Sequence, residues 1–518
     1  MSKEKHQFGQ YMTPKIIADF MIGLIEHDKN SKILEPSCGN GIFIDDLYEN
    51  GFKFITGYEI DANIIRNKDV VVNSSFVSSS VDEKFDVVIG NPPYIRWKNL
   101  EDNLKNELVN SNLWNTYCNS LCDYSSIFII KSIEQLNLGG ELIFITPEYW
   151  ISTTHATSLR NYMLQNGYIK EIYHFNETPI FNDVNASLII FKYIKDSDKI
   201  ENVDVANFLS KKKISEDDLE NISLKSSSDV IEFFNIPQFK QNERWVLADS
   251  ETKDRIQNFE EKCKKRDIDS QYEKLGDYCD IGNGMVSGLD KAFQISSNLK
   301  LTELELDSSI KVIKAKDISQ FYNKKETNYI FLNDRIKSES ELVKFYPHFY
   351  EQLNVFKSQL LKRYDYGKDI HYWDWSFLRN YKLFTSDNEK IFVPCKERIT
   401  KKTRFRFSYA ESSLIPTQDV TAIYKKKTTK EDILYILAIL NSHYVFDWLK
   451  YKGIRKGDII EFSEKPISII PFRTIDFSNL KEKELHNKIV SLVKKYISTK
   501  EIELLNKIDA CIENLMEI

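Results

Sequence analysis

The stretch VVIGNPPYIRW, residues 87–97, sets an apolar run against a stiffened polar loop. Val87, Val88 and Ile89 have the character of a buried strand, and Gly90 stops it. Asn91 then precedes two prolines, Pro92 and Pro93, and Tyr94 follows. Each proline fixes its own φ and restricts the residue ahead of it, so Asn91 is held nearly rigid at the strand's end. Its side-chain oxygen and the Pro92 carbonyl are two acceptors for one amino group, and Tyr94 offers a flat face to a planar ring. That constellation suits an amino group attached to an aromatic or amide plane.

Around this element, strand-like and helix-like runs alternate. Helical periodicity covers 14–26, with Thr13 as N-cap and Pro14 at the first helical position, then 41–49, a start at 61–67, and 124–136. Strands are expected over 31–34, 53–60, 85–89, 141–146, 169–175 and 186–193. Strands and helices alternating at this spacing predict an α/β fold with crossover helices on a largely parallel sheet. Residues 200–249 read as a connecting region, 273–472 carry shorter runs with basic and aromatic clusters, and 480–516 read as helical.

The totals bound the answer. A chain of 518 residues is too long for one ordinary core, so two or three domains are expected. The net charge of -6 gives no global positive field, so any nucleic-acid binding rests on local patches. The seven cysteines are scattered, and Cys118 and Cys122, one helical turn apart, have no second pair to complete a zinc pattern. They are expected to be reduced, which with the absence of a signal peptide places the protein in the cytoplasm. No apolar run approaches the roughly 20 residues of a membrane span.

Residues 33–43, ILEPSCGNGIF, read as a strand, an acidic residue, a small-residue turn and a helix start. Gly39 and Gly41 let a ligand approach the backbone at a helix N-terminus. No Lys-Ser/Thr follows, as a phosphate loop requires, and only G-x-G of the dinucleotide fingerprint is present. Glu35 at the strand end would repel phosphate but suits a cation. A second strand ends at Glu59-Ile60, where a carboxylate can accept both ribose hydroxyls. A ligand with a ribose and a positive group but no phosphate fits, and S-adenosylmethionine is such a ligand.

At these residues the chain resembles the N6-adenine DNA methyltransferases of the NPPY type, in which the cofactor region comes first and a target-recognition domain lies at the C-terminus. The resemblance is carried by residues 8–14 (FGQYMTP), 35–41 (EPSCGNG), Glu59, Asn91-Pro92-Pro93-Tyr94, Gly139-Gly140 with the strand after it, and Phe181 in 179–184 (PIFNDV). Residues 275–293, 311–318 and 439–442 look like landmarks of the recognition domain. It implies a Rossmann-like class I methyltransferase domain with a mixed sheet at 1–240, an α+β target-recognition domain at 241–475 and a helical segment at 476–518. It implies cofactor contacts from Tyr11, Thr13, Glu35, Pro36, Cys38, Gly39, Gly41, Glu59, Ile60, Ser75, Phe76, Asn91 and Pro93. Asn91, Pro92 and Tyr94 would be catalytic, with Tyr94 and Phe181 stacking on the target base. One departure stands out: where the family carries Asp-Phe, with the Asp on the cofactor's adenine amino group, this chain has Ser75-Phe76.

Lys401, Lys402, Arg404, Arg406, Lys425, Lys426 and Arg455 fall in basic clusters that suit phosphate contacts. Tyr372, Trp373 and Trp375 read as core aromatics rather than wedges, and His371 as structural. The resemblance further implies double-stranded DNA as substrate, a separate cognate restriction endonuclease as partner, a monomer, and no metal and no fused nuclease. Adenine N6 is a poor nucleophile, and acceptors on its hydrogens would stabilise the charge that develops on it. An adenine in a duplex must flip to reach such a pocket. Two alternatives stay open: a methyltransferase for an RNA base or a protein glutamine amide, since NPPY suits any planar amide or amino group, and a non-catalytic DNA-recognition subunit.

Overall fold

A computed structural model describes residues 11–518 except 177, 182–186, 199, 211, 265–271, 297–298, 368, 400–401 and 457, with residue 456 described by its backbone alone. The chain forms two compact units, Met1–Lys253 and Asp254–Ile518. Residues 8–10 and 182–184 of the family-like segments, and Lys401, lie outside the described residues.

In the first unit, nine strands form one sheet in the order β3-β2-β1-β4-β5-β7-β6-β8-β9. They are β1 Lys32–Glu35, β2 Phe54–Glu59, β3 Val71–Asn73, β4 Phe85–Gly90, β5 Leu136–Pro147, β6 Tyr168–His174, β7 Leu188–Ile194, β8 Asn202–Phe208 and β9 Ile231–Pro237. The first five run parallel, and β7 runs antiparallel to both β5 and β6. The fold is therefore a mixed-sheet α/β methyltransferase-like domain. Helices α1 Lys15–Gly23, α2 Ile42–Glu49, α3 Asp102–Val109, α4 Asn112–Tyr117, α5 Ser125–Gln135, α6 Thr157–Asn166 and α7 Glu216–Ser223 accompany the sheet.

Alternation along the strands builds two cores. Ile33, Val87, Ile89, Ile143 and Ile145 pack with α1 and α2, while Leu34, Val88, Leu142 and Phe144 pack with α5 and α6. This is the period of two expected of strands buried on both faces. Each such side chain taken fully out of water stabilises the fold by about 1.5–3 kcal/mol. In the central register, Ile33 lies opposite Val87 and Leu34 opposite Val88. From β1 the chain builds outward to β2 and β3 on one side, and β4 and β5 lie on the other. The carboxyl edge at such a switch point is where open sheets bind ligands.

Several local expectations are corrected. Thr13 does not cap α1: the helix begins at Lys15, and extended Pro14 supplies the carbonyl that accepts from Ile17 and Ala18. No helix forms at 61–67; Asp61 instead accepts from the Asn63 backbone and side-chain amides at 3.0 Å, closing a turn. Strand β5 starts at Leu136, directly after α5, and runs through Gly139-Gly140 rather than beginning after them. The supposed connection at 200–249 contains β8, α7 and β9, which extend the sheet by two strands. The first unit continues past residue 240 because Trp245, 2% exposed, packs on Trp150 and stacks on Phe239 at 4.2 Å.

The second unit is α+β. Strands β10 Cys279–Asn283, β11 Ser309–Ile313, β12 Thr327–Ile330, β13 Lys390–Pro394, β14 Lys396–Arg398, β15 Ser408–Ala410, β16 Leu414–Pro416, β17 Val420–Lys425, β18 Arg455–Lys456 and β19 Ile459–Glu461 form three small sheets. The sheet β10-β17-β13-β15 again divides its side chains: Ile391, Val393 and Ile423 face one core, Phe392, Ala422 and Tyr424 another. The helices Leu480–Thr499 and Glu503–Glu517 are not a separate appendage, since Ile489, Val493, Leu504, Ile508 and Leu515 belong to the first of these cores. Tyr372, Trp373 and Trp375 are buried in the other core. Among the described residues, no helix is long and apolar enough to cross a membrane.

Gly167 joins α6 to β6, and a Cβ there would fall 2.0 Å from the Ile194 carbonyl oxygen and 2.5 Å from the Tyr193 hydroxyl. Gly167→Ala is expected to destabilise the protein by about 1–3 kcal/mol, as overpacking does, and to lower the urea midpoint of the full chain. Gly23→Ala, where a Cβ meets nothing within 4 Å, should leave the midpoint unchanged or raise it.

Candidate functional site

At the carboxyl edge of β1, β2, β3 and β4 the loops enclose a cleft of about 640 Å³, counted to its open mouth. Pro36, Ser37 and Gly39 come from the turn after β1, Glu59 and Ile60 from the end of β2, Ser74, Ser75 and Phe76 from beyond β3, and Asn91 and Pro93 from beyond β4. Tyr11 and Met12 close one end. The cleft therefore gathers nine of the expected cofactor residues: Tyr11, Pro36, Gly39, Glu59, Ile60, Ser75, Phe76, Asn91 and Pro93.

Thr13, Glu35, Cys38 and Gly41 stand behind that lining. Gly39 at φ +53° and Gly41 at φ +83° make the tight turn into α2, a conformation that costs a residue with a Cβ. Glu35 is 1% exposed, and its Oε2 has no hydrogen-bond partner among the described residues. Burial, then Glu59 and Asp45, hold its carboxyl well above the usual carboxylate range. Burial thus opposes ionisation of Glu35, and a cationic group beside it would favour the charged form. Burial first, then Glu35 and Glu59, also push the Cys38 thiol up, which keeps it protonated.

Glu59 has two tasks. Its Oε2 accepts from the Gly39 amide at 2.8 Å and its Oε1 from the Asp61 amide at 2.9 Å, which ties two loops of the cleft together. Burial raises its carboxyl, and those two amides pull it back. Each oxygen retains a lone pair for a ligand hydroxyl.

The amide of Asn91 is oriented by its nitrogen. Nδ2 donates to the Tyr11 carbonyl at 2.9 Å and to Thr13 Oγ1 at 3.2 Å. Both partners are placed to accept, so Oδ1 must point the other way. Oδ1 is buried and has no hydrogen-bond partner among the described residues. Ser37 Oγ donates to the Asn91 carbonyl at 3.2 Å, adding a third tether. The hydroxyl of Thr13, expected to cap a helix, serves this loop instead.

Tyr94 anchors its hydroxyl on the Ile145 carbonyl at 2.8 Å, and burial pushes that phenol well up. Its ring stacks on Tyr11 at 5.9 Å, and Tyr11 meets Phe181 at 6.2 Å. Tyr94 and Phe181 are thus linked through Tyr11.

Lining residues not anticipated are Met12, Ser37, Ser74, Leu104, Tyr124 and Phe128. Tyr124 and Phe128 lie one helical turn apart at the start of α5, a spacing that put them on one face but did not say which. Lys131, one turn further, donates to the carbonyls of Phe76 at 2.5 Å, Val77 at 2.9 Å and Ser79 at 2.6 Å. Burial lowers its ammonium to about 8, and it fixes the loop that carries Phe76.

The basic residues of the second unit are engaged within that unit. Lys402 pairs with Glu397, as does Arg406 at 2.8 Å, and Arg404 makes a two-pronged pair with Asp509 at 2.8 and 2.5 Å. Lys425 donates to the Glu431 carbonyl, Lys426 to those of Gly276 and Asp277, and Arg455 to that of Lys450. The clusters read as suited to phosphate contacts also serve as struts within the unit.

A family model described as Eco57I restriction-modification methylase matches residues 26–181. The chain is 47% identical to type II methyltransferase M.HindII of Haemophilus influenzae, over 99% of this chain and 98% of that relative. It is 46% identical to type II methyltransferase M.HincII of the same species, again over 99% and 98%. Among solved structures it is similar to the type IIL restriction–modification enzyme MmeI in complex with DNA, with a TM-score of 0.57 over 97% of this chain and 72% of that one. At 12% identity that likeness speaks for the fold.

Asp123 pins the segment that follows Tyr94: it bridges to Arg96, and the Tyr124 amide donates to the Ile95 carbonyl at 2.9 Å. Burial pushes its carboxyl from 3.8 up to about 7, against bonds from Ser125 and the charge of Arg96. A raised folded-state value means that the fold favours the protonated form. Stability present below about pH 4 is therefore lost as pH climbs to about 7, by up to ~4 kcal/mol. Asp123→Asn should flatten that decline in urea midpoints measured across pH 4–8, relative to the native chain.

Proposed function

The chain belongs to the type II methyltransferases of restriction–modification systems, and from that footing we propose that it transfers a methyl group from S-adenosylmethionine to N6 of an adenine flipped out of double-stranded DNA. The observation that carries this is the buried Oδ1 of Asn91, a residue that lines the cleft, which has no hydrogen-bond partner among the described residues. Among the described residues the Pro92 carbonyl also accepts no hydrogen bond. Two adjacent free acceptors on a rigid loop match an exocyclic amino group, whose two hydrogens they would take.

The residues present fit S-adenosylmethionine. Glu59 has lone pairs for the ribose hydroxyls, and Phe76 and Phe128 offer apolar walls to a purine. Tyr11, Met12 and Pro36 would hold the methionine end. When bound, the sulfonium supplies an already activated methyl group. The protein has then to position the amino nitrogen and stabilise the charge that develops on it. Asn91 Oδ1 and the Pro92 carbonyl do both, since they are in place before the reaction and need no reorganisation.

Tyr94 and Phe181 are proposed to stack on the flipped base, at roughly 1–3 kcal/mol per stacked face. A base that enters there has to displace the Tyr11 ring, which now touches both. The second unit is proposed to read the DNA. Lys402, Arg404, Arg406, Lys425, Lys426 and Arg455 would touch phosphate with the N–H groups not spent on their protein partners. A separate cognate endonuclease is the proposed partner.

The test is methyl transfer from tritiated S-adenosylmethionine to unmethylated genomic DNA, with the labelled nucleoside identified. N6-methyladenine is expected from the native chain. Asn91→Ala should lower kcat by about 10²–10³, as loss of one charge-stabilising contact does, with cofactor binding retained. Label in RNA or protein but not in DNA would overturn the reading.

A further inference from the structure

The wall of the cleft beside Phe76 carries a polar cluster built around the Glu107 carboxylate. Ser75 Oγ donates to Glu107 Oε2 at 2.8 Å, Ser78 Oγ donates to Glu107 Oε1 at 3.0 Å, and the Tyr124 hydroxyl donates to Glu107 Oε2 at 3.4 Å. Ser75 and Tyr124 line the cleft, whereas Glu107 stands behind them on α3, one turn beyond the lining residue Leu104. The loop that carries Ser75 and Ser78 is fixed by Lys131, which donates to the carbonyls of Phe76, Val77 and Ser79.

A hydroxyl has one proton to give and two lone pairs. A carboxylate only accepts. Once Ser75 and Tyr124 have turned their protons to Glu107, what they turn to the cleft is lone pairs. Burial, then the charge of Glu107, pushes the Tyr124 phenol up, so it remains a donor to that carboxylate. The edge is therefore an acceptor surface, set by a residue that does not itself face the ligand. A 6-amino purine presents hydrogens to such an edge. A 6-oxo purine presents a carbonyl lone pair against lone pairs.

We propose that Glu107 is a positioning residue that fixes Ser75 as an acceptor, so that the cleft selects a 6-amino over a 6-oxo purine nucleoside. The proposal rests on the reading of this cleft as the S-adenosylmethionine site.

Calorimetric titration of the full chain with S-adenosylhomocysteine and with its 6-oxo analogue, S-inosylhomocysteine, tests it without turnover. The native chain should bind the 6-amino compound at least about tenfold more tightly, and Glu107→Met, which accepts no such hydrogen bond, should reduce that preference by about tenfold (~1.4 kcal/mol). The reduction should come from the 6-amino compound. Ser75→Asp added to Glu107→Met should restore the preference, because an ionised aspartate has no proton to turn toward the cleft. A structural role alone would change both affinities together and would not be rescued. If the urea midpoint of Glu107→Met falls, Ser75→Ala makes the same test by removing the lone pair directly. An unchanged preference in a folded variant overturns the proposal while the cofactor site stands. Failure of the native chain to bind S-adenosylhomocysteine overturns the cofactor reading and this proposal with it.

Discussion

The orientation of one amide, that of Asn91, is the constraint on which the site depends. Its nitrogen is satisfied by the Tyr11 carbonyl and the Thr13 hydroxyl, and its oxygen is left without a partner among the described residues. A buried acceptor without a partner costs about 1–3 kcal/mol. The fold sustains that cost because the surrounding structure leaves the amide no alternative. Pro92 and Pro93 stiffen the loop, β4 pairs on both sides, and Ser37 holds the Asn91 carbonyl. A group held unsatisfied in the resting protein is ready for a substrate without rearrangement.

The same economy recurs across the cleft. Glu59 spends one lone pair of each oxygen on backbone amides, and in doing so sets the distance between the turns that follow β1 and β2. Glu35, whose carboxyl burial raises, fills the space under Gly90, where a Cβ would lie 3.5 Å from its Cγ. Glu107 and Lys131 act from behind the lining, one on hydroxyls and the other on carbonyls. The surfaces that a ligand would meet are thus mostly backbone, aromatic faces and lone pairs, while the ionisable groups that shape them sit one layer back.

How much of this was legible in the sequence divides along physical lines. The strand, proline loop and aromatic of 85–94 could be read because the determinants are adjacent in the chain: apolar alternation, then fixed φ. The glycine turn after β1 was legible for the same reason. Thr13 was misassigned because capping its own helix and serving Asn91, 78 positions away, use the same hydroxyl, and only tertiary structure decides between them. Strands β8 and β9 were missed because, at the outer end of the sheet, their residues mix exposed and buried positions instead of forming a clean apolar run. The internal partners of the second unit's cations were not legible because Asp509, the partner of Arg404, lies 105 positions away, and a local charge count cannot see it. Glu107 gave no signal at all, since an acidic residue on a polar helix is ordinary until the fold sets it behind Ser75.

The most direct measurement is a crystal structure of the full chain with S-adenosylhomocysteine and a duplex that carries its own methylation site. The account predicts an extruded adenine whose exocyclic nitrogen lies about 3 Å from both Asn91 Oδ1 and the Pro92 carbonyl oxygen, with Asn91 Nδ2 still on Tyr11 and Thr13. An adenine amino group held by other residues, with the Asn91 oxygen turned to a partner within the protein, would contradict it.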